Sequence, residues 1–317
     1  MSMQELRLTE SASHSLSERI ITVSDGSTGS RSAPFPLIPV AALLVAMVSI
    51  QSGASLAKSL FPIVGAEGAT ALRLGLAAGI LLIIFRPWRT RLDRAAIRPL
   101  LFYGAALGGM NLLFYLAIHS LPLAVAVALE FTGPLGLALW QSRRPIDLCW
   151  VVLAFIGIAL LFTYGTTGMG LNAGGVTFAL GAGVCWAVYI RIGKRAAAQG
   201  RQAAVAYGTT IAAILTVPVG LEHTGGHLLS FDILPLALAV ALLTSAIPYS
   251  LEIVALQGLS TRTFGILTSM EPALAALSAA IILAEHLSLA QVIGTGTIMA
   301  ASIGAVTSDS RSTPEPV

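Results

Sequence analysis

The chain predicts an all-α polytopic membrane protein, with ten transmembrane helices in two inverted-topology five-helix repeats (5+5). Three observations carry that expectation. Hydrophobic residues make up 56% of the 317 positions and charged residues only 10%, against about 25% charged in a soluble domain. So few charges cannot cover a soluble globule, which excludes a soluble enzyme, a coiled coil and a nucleic-acid binder. The apolar residues fall in long continuous runs, without the two-residue alternation of a barrel. The two halves also repeat one another in their spacing of helices, prolines and charges.

Residues 1–36 are rich in serine and scattered charge, and are expected to form a disordered cytoplasmic tail. They are not read as a signal peptide, because the first long apolar run begins only near Leu37. Spans of about 20 residues suit a bilayer. They are expected at 37–58, 67–86, 98–119, 121–141, 147–164, 172–191, 204–221, 233–257, 262–284 and 288–306. Phe61-Pro62, Arg86-Pro87, Leu121-Pro122, Arg144-Pro145, Gly165 to Gly170 and Gly225-Gly226 mark the turns. The first repeat is thus 37–164, the second 172–306, and 307–317 is a polar cytoplasmic tail. Cys149 and Cys185 lie in apolar runs and are expected as small core residues.

When successive loops are placed alternately on two sides, every Lys and Arg except Lys58 and Arg73 falls on one side. The positive-inside rule makes that side cytoplasmic, with both termini there. The modest net charge of +3 is therefore a topology signal.

An offset of 138 relates Ala117 to Ala255, Leu121 to Leu259, Pro134 to Pro272 and Asp147 to Glu285. An offset of 136 relates Lys58 to Lys194. An odd number of helices per half inverts the second half in the membrane, an architecture of secondary transporters that rock about a midplane site. Some polytopic lipid-processing enzymes share it.

An ionisable group at the centre of a membrane helix costs at least ~2.5–3.5 kcal/mol, so each needs a reason. Glu130 and Glu271 each lie nine residues into a span, about 14 Å deep, and come from opposite faces. Helix breakers follow both: Gly133-Pro134 in the first case and Pro272 in the second. These three are expected at hinges or broken helices, where transporters line polar cavities. The glutamates then bind a cationic group or carry a coupling proton; the alternative is an ion pair or hydrogen bond that only locks helices.

Arg73, about 9 Å inside the second span, has the fork to clamp a carboxylate; pairing with Glu130 or Glu67 is the equal alternative. Lys58 is expected to snorkel to the interface, and Glu252 to sit at a solvated helix end. Gln51, Ser55 and Lys58 share one helical face, as do Gly104, Gly108, Asn111 and Tyr115. The glycines suit packing; Gln51 and Asn111 are cavity candidates. Tyr249, offset by 138 from Asn111, is expected to face the same cavity.

No GxxxxGK[ST] loop and no HExxH spacing occur, so neither nucleotide hydrolysis nor zinc chemistry has support. No cofactor is expected. The segments QSGASLAKSLFP (51–62), TALRLGLAAG (70–79), LGGMNLLFYLAI (107–118), VALEFTGPL (127–135), SRRP (142–145), IPYSLE (247–252), TRTFG (261–265) and SMEPALAA (269–276) resemble the EamA-type drug/metabolite transporter family. Within it they resemble the threonine/homoserine exporter subgroup.

The resemblance implies a bacterial inner-membrane secondary transporter, not an enzyme, that exports small amino acids, threonine and homoserine, on the proton-motive force. Its expected partners are the amino-acid substrate, protons and the lipid bilayer, with no nucleic acid and no ATPase subunit; a homodimer stays open. Export of another metabolite or drug, a lipid-processing membrane enzyme, and a passive channel or receptor are the alternatives.

Overall fold

The computed structural model describes residues 37–89, 93–141, 145–163, 172–197, 200–225, 230–259 and 261–309. Among these no strand occurs, and helices dominate. The expected N-terminal tail, residues 310–317 of the C-terminal one, Arg143 and Arg144 and the Gly165 to Gly170 turn lie outside the described residues.

The first helices are α1 (Leu37–Lys58), α2 (Phe61–Phe85) and α3 (Arg94–Ser120). Pro62 sits in the first turn of α2, where no amide is needed. Gly65, at φ 67°, kinks α2 in a conformation that other residues avoid. The expected fourth span is broken into α4 (Leu123–Glu130) and α5 (Thr132–Gln141). Next come α6 (Pro145–Thr163), α7 (Ala173–Ala196) and α8 (Arg201–Thr224). The Asn172 side chain caps α7 by accepting the Gly175 amide at 3.1 Å.

The expected eighth span is one rod with a defect in it. α9 (Leu234–Ala241) runs into a π-helical turn, Leu242–Ala246, and on into α10 (Ile247–Gly258). Pro248 explains the defect: its ring cannot follow an ordinary turn and it has no amide to give. The Ile247 amide bonds five residues back to the Leu242 carbonyl. The next bond in that register would need an amide from Pro248. Its acceptor, the Leu243 carbonyl, takes the Ser49 hydroxyl of α1 instead, at 2.7 Å. The ninth span is likewise broken, into α11 (Thr261–Thr268) and α12 (Glu271–Ile282), and α13 (Leu289–Asp309) closes the chain.

Seven helical stretches among the described residues are long and apolar enough to cross a membrane: Leu37–Lys58, Phe61–Phe85, Arg94–Ser120, Ala173–Gly193, Arg201–Thr224, Leu234–Ala255 and Thr263–Ile282. Leu123–Leu137, Leu148–Leu161 and Leu289–Gly304 are shorter apolar helices. Large hydrophobic side chains such as Phe102, Trp140, Phe155, Ile214 and Ile281 face outward, as lipid requires and water does not. This is a polytopic helical membrane protein.

The helices pack across the two halves of the chain: α1 on α10, α2 on α8, α3 on α7 and α8, α4 on α12 and α6 on α13. Gly104 and Gly108 let α3 approach Gly208 and Ala212 of α8, so they pack helices together.

The two ends of the bundle differ. Around Lys58, a single apolar core joins Leu60, Ile118, Leu123, Val176, Ile233 and Ala279. At the opposite end the buried apolar residues form separate groups. One is Leu100, Tyr103, Ala196 and Ala204; another is Leu43, Met47 and Ala255.

Candidate functional site

Two broken helices meet at the acidic residues. Glu130 ends α4, whose eight residues are all buried. The chain turns at Phe131, and the Thr132 hydroxyl donates to the Leu129 carbonyl at 2.6 Å. Gly133 and Pro134 lie in the first turn of α5. Gly133 touches the backbone of Gly183 on α7, and a Cβ on Gly183 would stand 2.5 Å from the Glu130 carbonyl oxygen. Only glycines allow this crossing.

In the other half the break lies before the acid rather than after it. The turn is at Ser269 and Met270, Glu271 opens α12, and Pro272 occupies its first turn. Proline is tolerated there because the first amides of a helix have no intrahelical acceptor. Glu130 therefore stands at the carbonyl end of one short helix and Glu271 at the amide end of another. The α4 end attracts a cation, and the α12 end steadies a carboxylate.

Glu130 is within electrostatic range of both Glu271 and Arg73. Arg73 is 5% exposed, and its guanidinium sits 4.8 Å from the centroid of the Tyr115 ring. Its Nε and Nη2 have no hydrogen-bond partner. Neither Glu130 nor Glu67 pairs with it; the ion pair found among the described residues is Lys58–Glu285. Two guanidinium donors are thus left buried and unused within range of Glu130, which is itself within range of Glu271.

The remaining candidates divide. Gln51 is buried with Oε1 unpartnered, on the face of α1 whose Ser55 meets Ser278 of α12 at 3.1 Å. Tyr249, in the first turn of α10, is within range of Arg73, Glu252 and Tyr115. Asn111 is buried, but its amide nitrogen donates to the Leu107 carbonyl of its own helix at 2.7 Å.

Lys58 does not snorkel. It reaches Glu285 Oε1 at 2.6 Å, because the α12–α13 turn brings a carboxylate to the end of α1. Glu252 is not a solvated helix end either. It is partly buried and within range of Tyr103, Tyr189, Tyr249 and Glu271. Tyr103 and Tyr189 stack at 4.6 Å and are joined by a 2.9 Å hydrogen bond between their hydroxyls.

Tyr115, on the helical face it shares with Asn111, is the aromatic floor under Arg73. One side chain escaped the sequence reading: Ser245 in the π-helical turn is buried with a free hydroxyl. Pro248 was the available signal for it, since a proline in a long apolar run demands a local defect upstream.

Comparison with known proteins agrees with this architecture. Residues 173–307 match the EamA-like transporter family. The threonine/homoserine exporter RhtA of Salmonella typhimurium (strain LT2) is 57% identical over 267 residues, covering 84% of this chain and 90% of that protein. That of Escherichia coli (strain K12) is 55% identical over the same coverage. A solved crystal structure 19% identical in sequence matches with a TM-score of 0.60 over 86% of this chain and 98% of its own, which shows a shared fold.

An apolar bundle of membrane-spanning helices with charged groups buried at helix breaks has the build of a transporter. The chain belongs to the EamA-like transporter family, whose members carry solutes rather than transform them.

Proposed function

We propose that this chain exports threonine and homoserine across the bacterial inner membrane in exchange for protons. The observation that carries the reading is the free guanidinium edge of Arg73, buried on Tyr115 and within range of Glu130, which in turn is within range of Glu271. A zwitterionic amino acid offers a partner to each of these groups and leaves one negative charge for a coupling proton. Its carboxylate takes the two Arg73 donors, and its ammonium takes the carboxylates and the carbonyl end of α4. Tyr249, within range of Arg73, is assigned to the same site, together with the buried Gln51 and Asn111. Relatives 55–57% identical are named as exporters of these two amino acids, which supports the cargo.

The ten-span, 5+5 arrangement with both termini cytoplasmic is part of this reading. Helix packing supports it. Exchanging the two halves turns the α1–α10 pair into the α7–α3 pair and maps α2–α8 and α6–α13 onto themselves. One pair breaks the symmetry. α4 packs on α12, while the counterpart pair, α5 and α11, is not among the packed pairs of the described residues. A closed outer end and a parted inner end are what one state of an alternating-access cycle requires. Gly133, Pro134 and Pro272 are the hinge residues of that cycle. A proton returning inward on Glu130 or Glu271 displaces the ammonium and resets the site.

The test is reconstitution into vesicles with an imposed pH gradient and labelled amino acids. Gradient-driven movement of threonine and homoserine is expected. Movement of neither, by protein shown to be inserted and folded, overturns the proposal.

A further inference from the structure

The π-helical turn poses a question the charged groups do not answer. In this protein a hydroxyl on a helix usually donates to the carbonyl four residues back: Thr70 to Ala66, Thr216 to Ala212, Thr244 to Val240 and Ser250 to Ala246 all do so, at 2.6–2.9 Å. Such a bond uses up the donor. Ser245 lies between two of these residues, is 0% exposed, and makes no hydrogen bond. Its polar neighbour is the Tyr249 hydroxyl, outside hydrogen-bonding geometry. The Tyr115 hydroxyl is also fully buried and unpartnered, next to Arg73 and Thr244.

Buried hydroxyls left unpaired are costly, and each calls for a reason. Here they belong to one wall. Arg73 lies over Tyr115, and Tyr249, within range of both, adjoins Ser245. That turn is also fixed from outside. Ser49 holds its spare carbonyl, and Gly53 of α1 lies so close that a Cβ there would stand 2.5 Å from Thr244. A defect clamped in this way holds the backbone of Ser245 in place.

We infer that Ser245, with the Tyr115 hydroxyl, forms the subsite that recognises the side-chain hydroxyl of the transported amino acid. The inference rests on the amino-acid export proposed above. With the carboxylate on Arg73 and the ammonium on the glutamates, the third substituent of the α-carbon faces the remaining wall. A hydroxyl on that substituent both donates and accepts, as do the two protein hydroxyls. A substrate lacking it leaves all of them unpaired, and sites built this way discriminate strongly against the deoxy analogue. Only the hydroxyl hydrogens of Ser245 and Tyr115 rotate, and a hydroxyl on carbon three or carbon four of the substrate is proposed to meet the same pair, so that threonine and homoserine share one subsite. Purely apolar amino acids of the same size do not fit it.

The experiment uses 2-aminobutyrate, the deoxy analogue of both threonine and homoserine. Vesicles containing the full-length protein are assayed for export of each, alone and in competition. The wild-type protein is expected to prefer the hydroxylated pair. Ser245→Ala is expected to cut that preference about tenfold, the size of one lost buried hydrogen bond, while 2-aminobutyrate export stays within about twofold. Ser245→Thr restores the preference, and Tyr115→Phe, which removes one oxygen from a ring that stays in place, lowers it.

An unchanged preference in Ser245→Ala, or an equal fall for all three amino acids in folded protein, overturns the inference. Either result leaves the export proposal standing. Failure of wild-type protein to move any amino acid instead removes both.

Discussion

Lys58 Nζ lies 2.6 Å from Glu285 Oε1, and the other oxygen of Glu285 accepts the Leu123 amide at 3.0 Å. One carboxylate therefore ties the end of α1, the α12–α13 turn and the start of α4, the helix that carries Glu130. Lys58 also reaches the Leu121 carbonyl at 3.4 Å, and Ser55 and Ser278 make a second bridge a turn below. Under the alternating access proposed above, these ties break whenever this end of the bundle opens. Lys58→Met is expected to speed labelling of a cysteine placed at Ser55 by about tenfold, as loss of a charged hydrogen bond would. A membrane-impermeant maleimide in a background free of Cys149 and Cys185 gives the rate. The charge swap Lys58→Glu with Glu285→Lys restores slow labelling only in part, because lysine cannot accept the Leu123 amide. Unchanged labelling in Lys58→Met would mean that this contact is not a gate.

Glu130 and Glu271 are separable by substitution. Glutamine keeps the volume and the hydrogen-bonding capacity but neither binds a coupling proton nor balances an ammonium. Glu130→Gln and Glu271→Gln are each expected to leave the protein inserted and folded, and at least one is expected to abolish proton-driven efflux. Amino-acid exchange without a pH gradient distinguishes the roles. A variant that still exchanges but no longer concentrates has lost the proton acceptor. A variant that does neither has lost the ammonium site. Full gradient-driven export in both single variants removes the mechanism.

Arg73→Lys tests whether position 73 needs a fork or merely a charge. Lysine keeps the positive charge yet loses the planar face on Tyr115 and the paired donors. The apparent affinity for threonine is expected to fall about tenfold or more, with maximal rate less affected, in concentration series on inverted vesicles. Equal affinity in Arg73→Lys would exclude a bidentate carboxylate clamp.

The helical membrane class was legible because the cost of exposing polar groups to hydrocarbon is written into every apolar run. Glu130, Glu271 and Arg73 stood out for the same reason. The side of the break at Glu271 was not legible, since Pro272 is as compatible with opening a helix as with bending one, and the structure opens α12 there. The partner of Lys58 lies 227 residues away, beyond any local pattern. Counting residues from a helix start gave Glu252 an exposed end. Its nearness to Tyr103 and Tyr189 depends on how α3 and α7 pack, which no single helix records. Ser245 looked like an ordinary serine in an apolar run because its free hydroxyl follows from the π-helical turn rather than from its neighbours in sequence.

The crossing of α7 over the α4–α5 break offers a test of the fold that is independent of cargo. At Gly183 a Cβ would stand 2.5 Å from the Glu130 carbonyl oxygen and 3.2 Å from the Gly133 amide. Both are backbone atoms, so neither can swing aside. Gly183→Ala is expected to push α7 away from the break at a cost of about 1–3 kcal/mol, the usual range for overpacking. Gly136, one turn further along α5, has nothing within 4 Å of the corresponding Cβ. Alanine there removes only the entropic penalty of glycine in a helix, so Gly136→Ala is expected to be neutral or stabilising by up to about 1 kcal/mol. Thermal unfolding in detergent compares the two directly. A lower midpoint for Gly183→Ala with an equal or higher one for Gly136→Ala supports the close crossing at Glu130. Equal behaviour of the two variants would mean that α7 and α4 do not meet there.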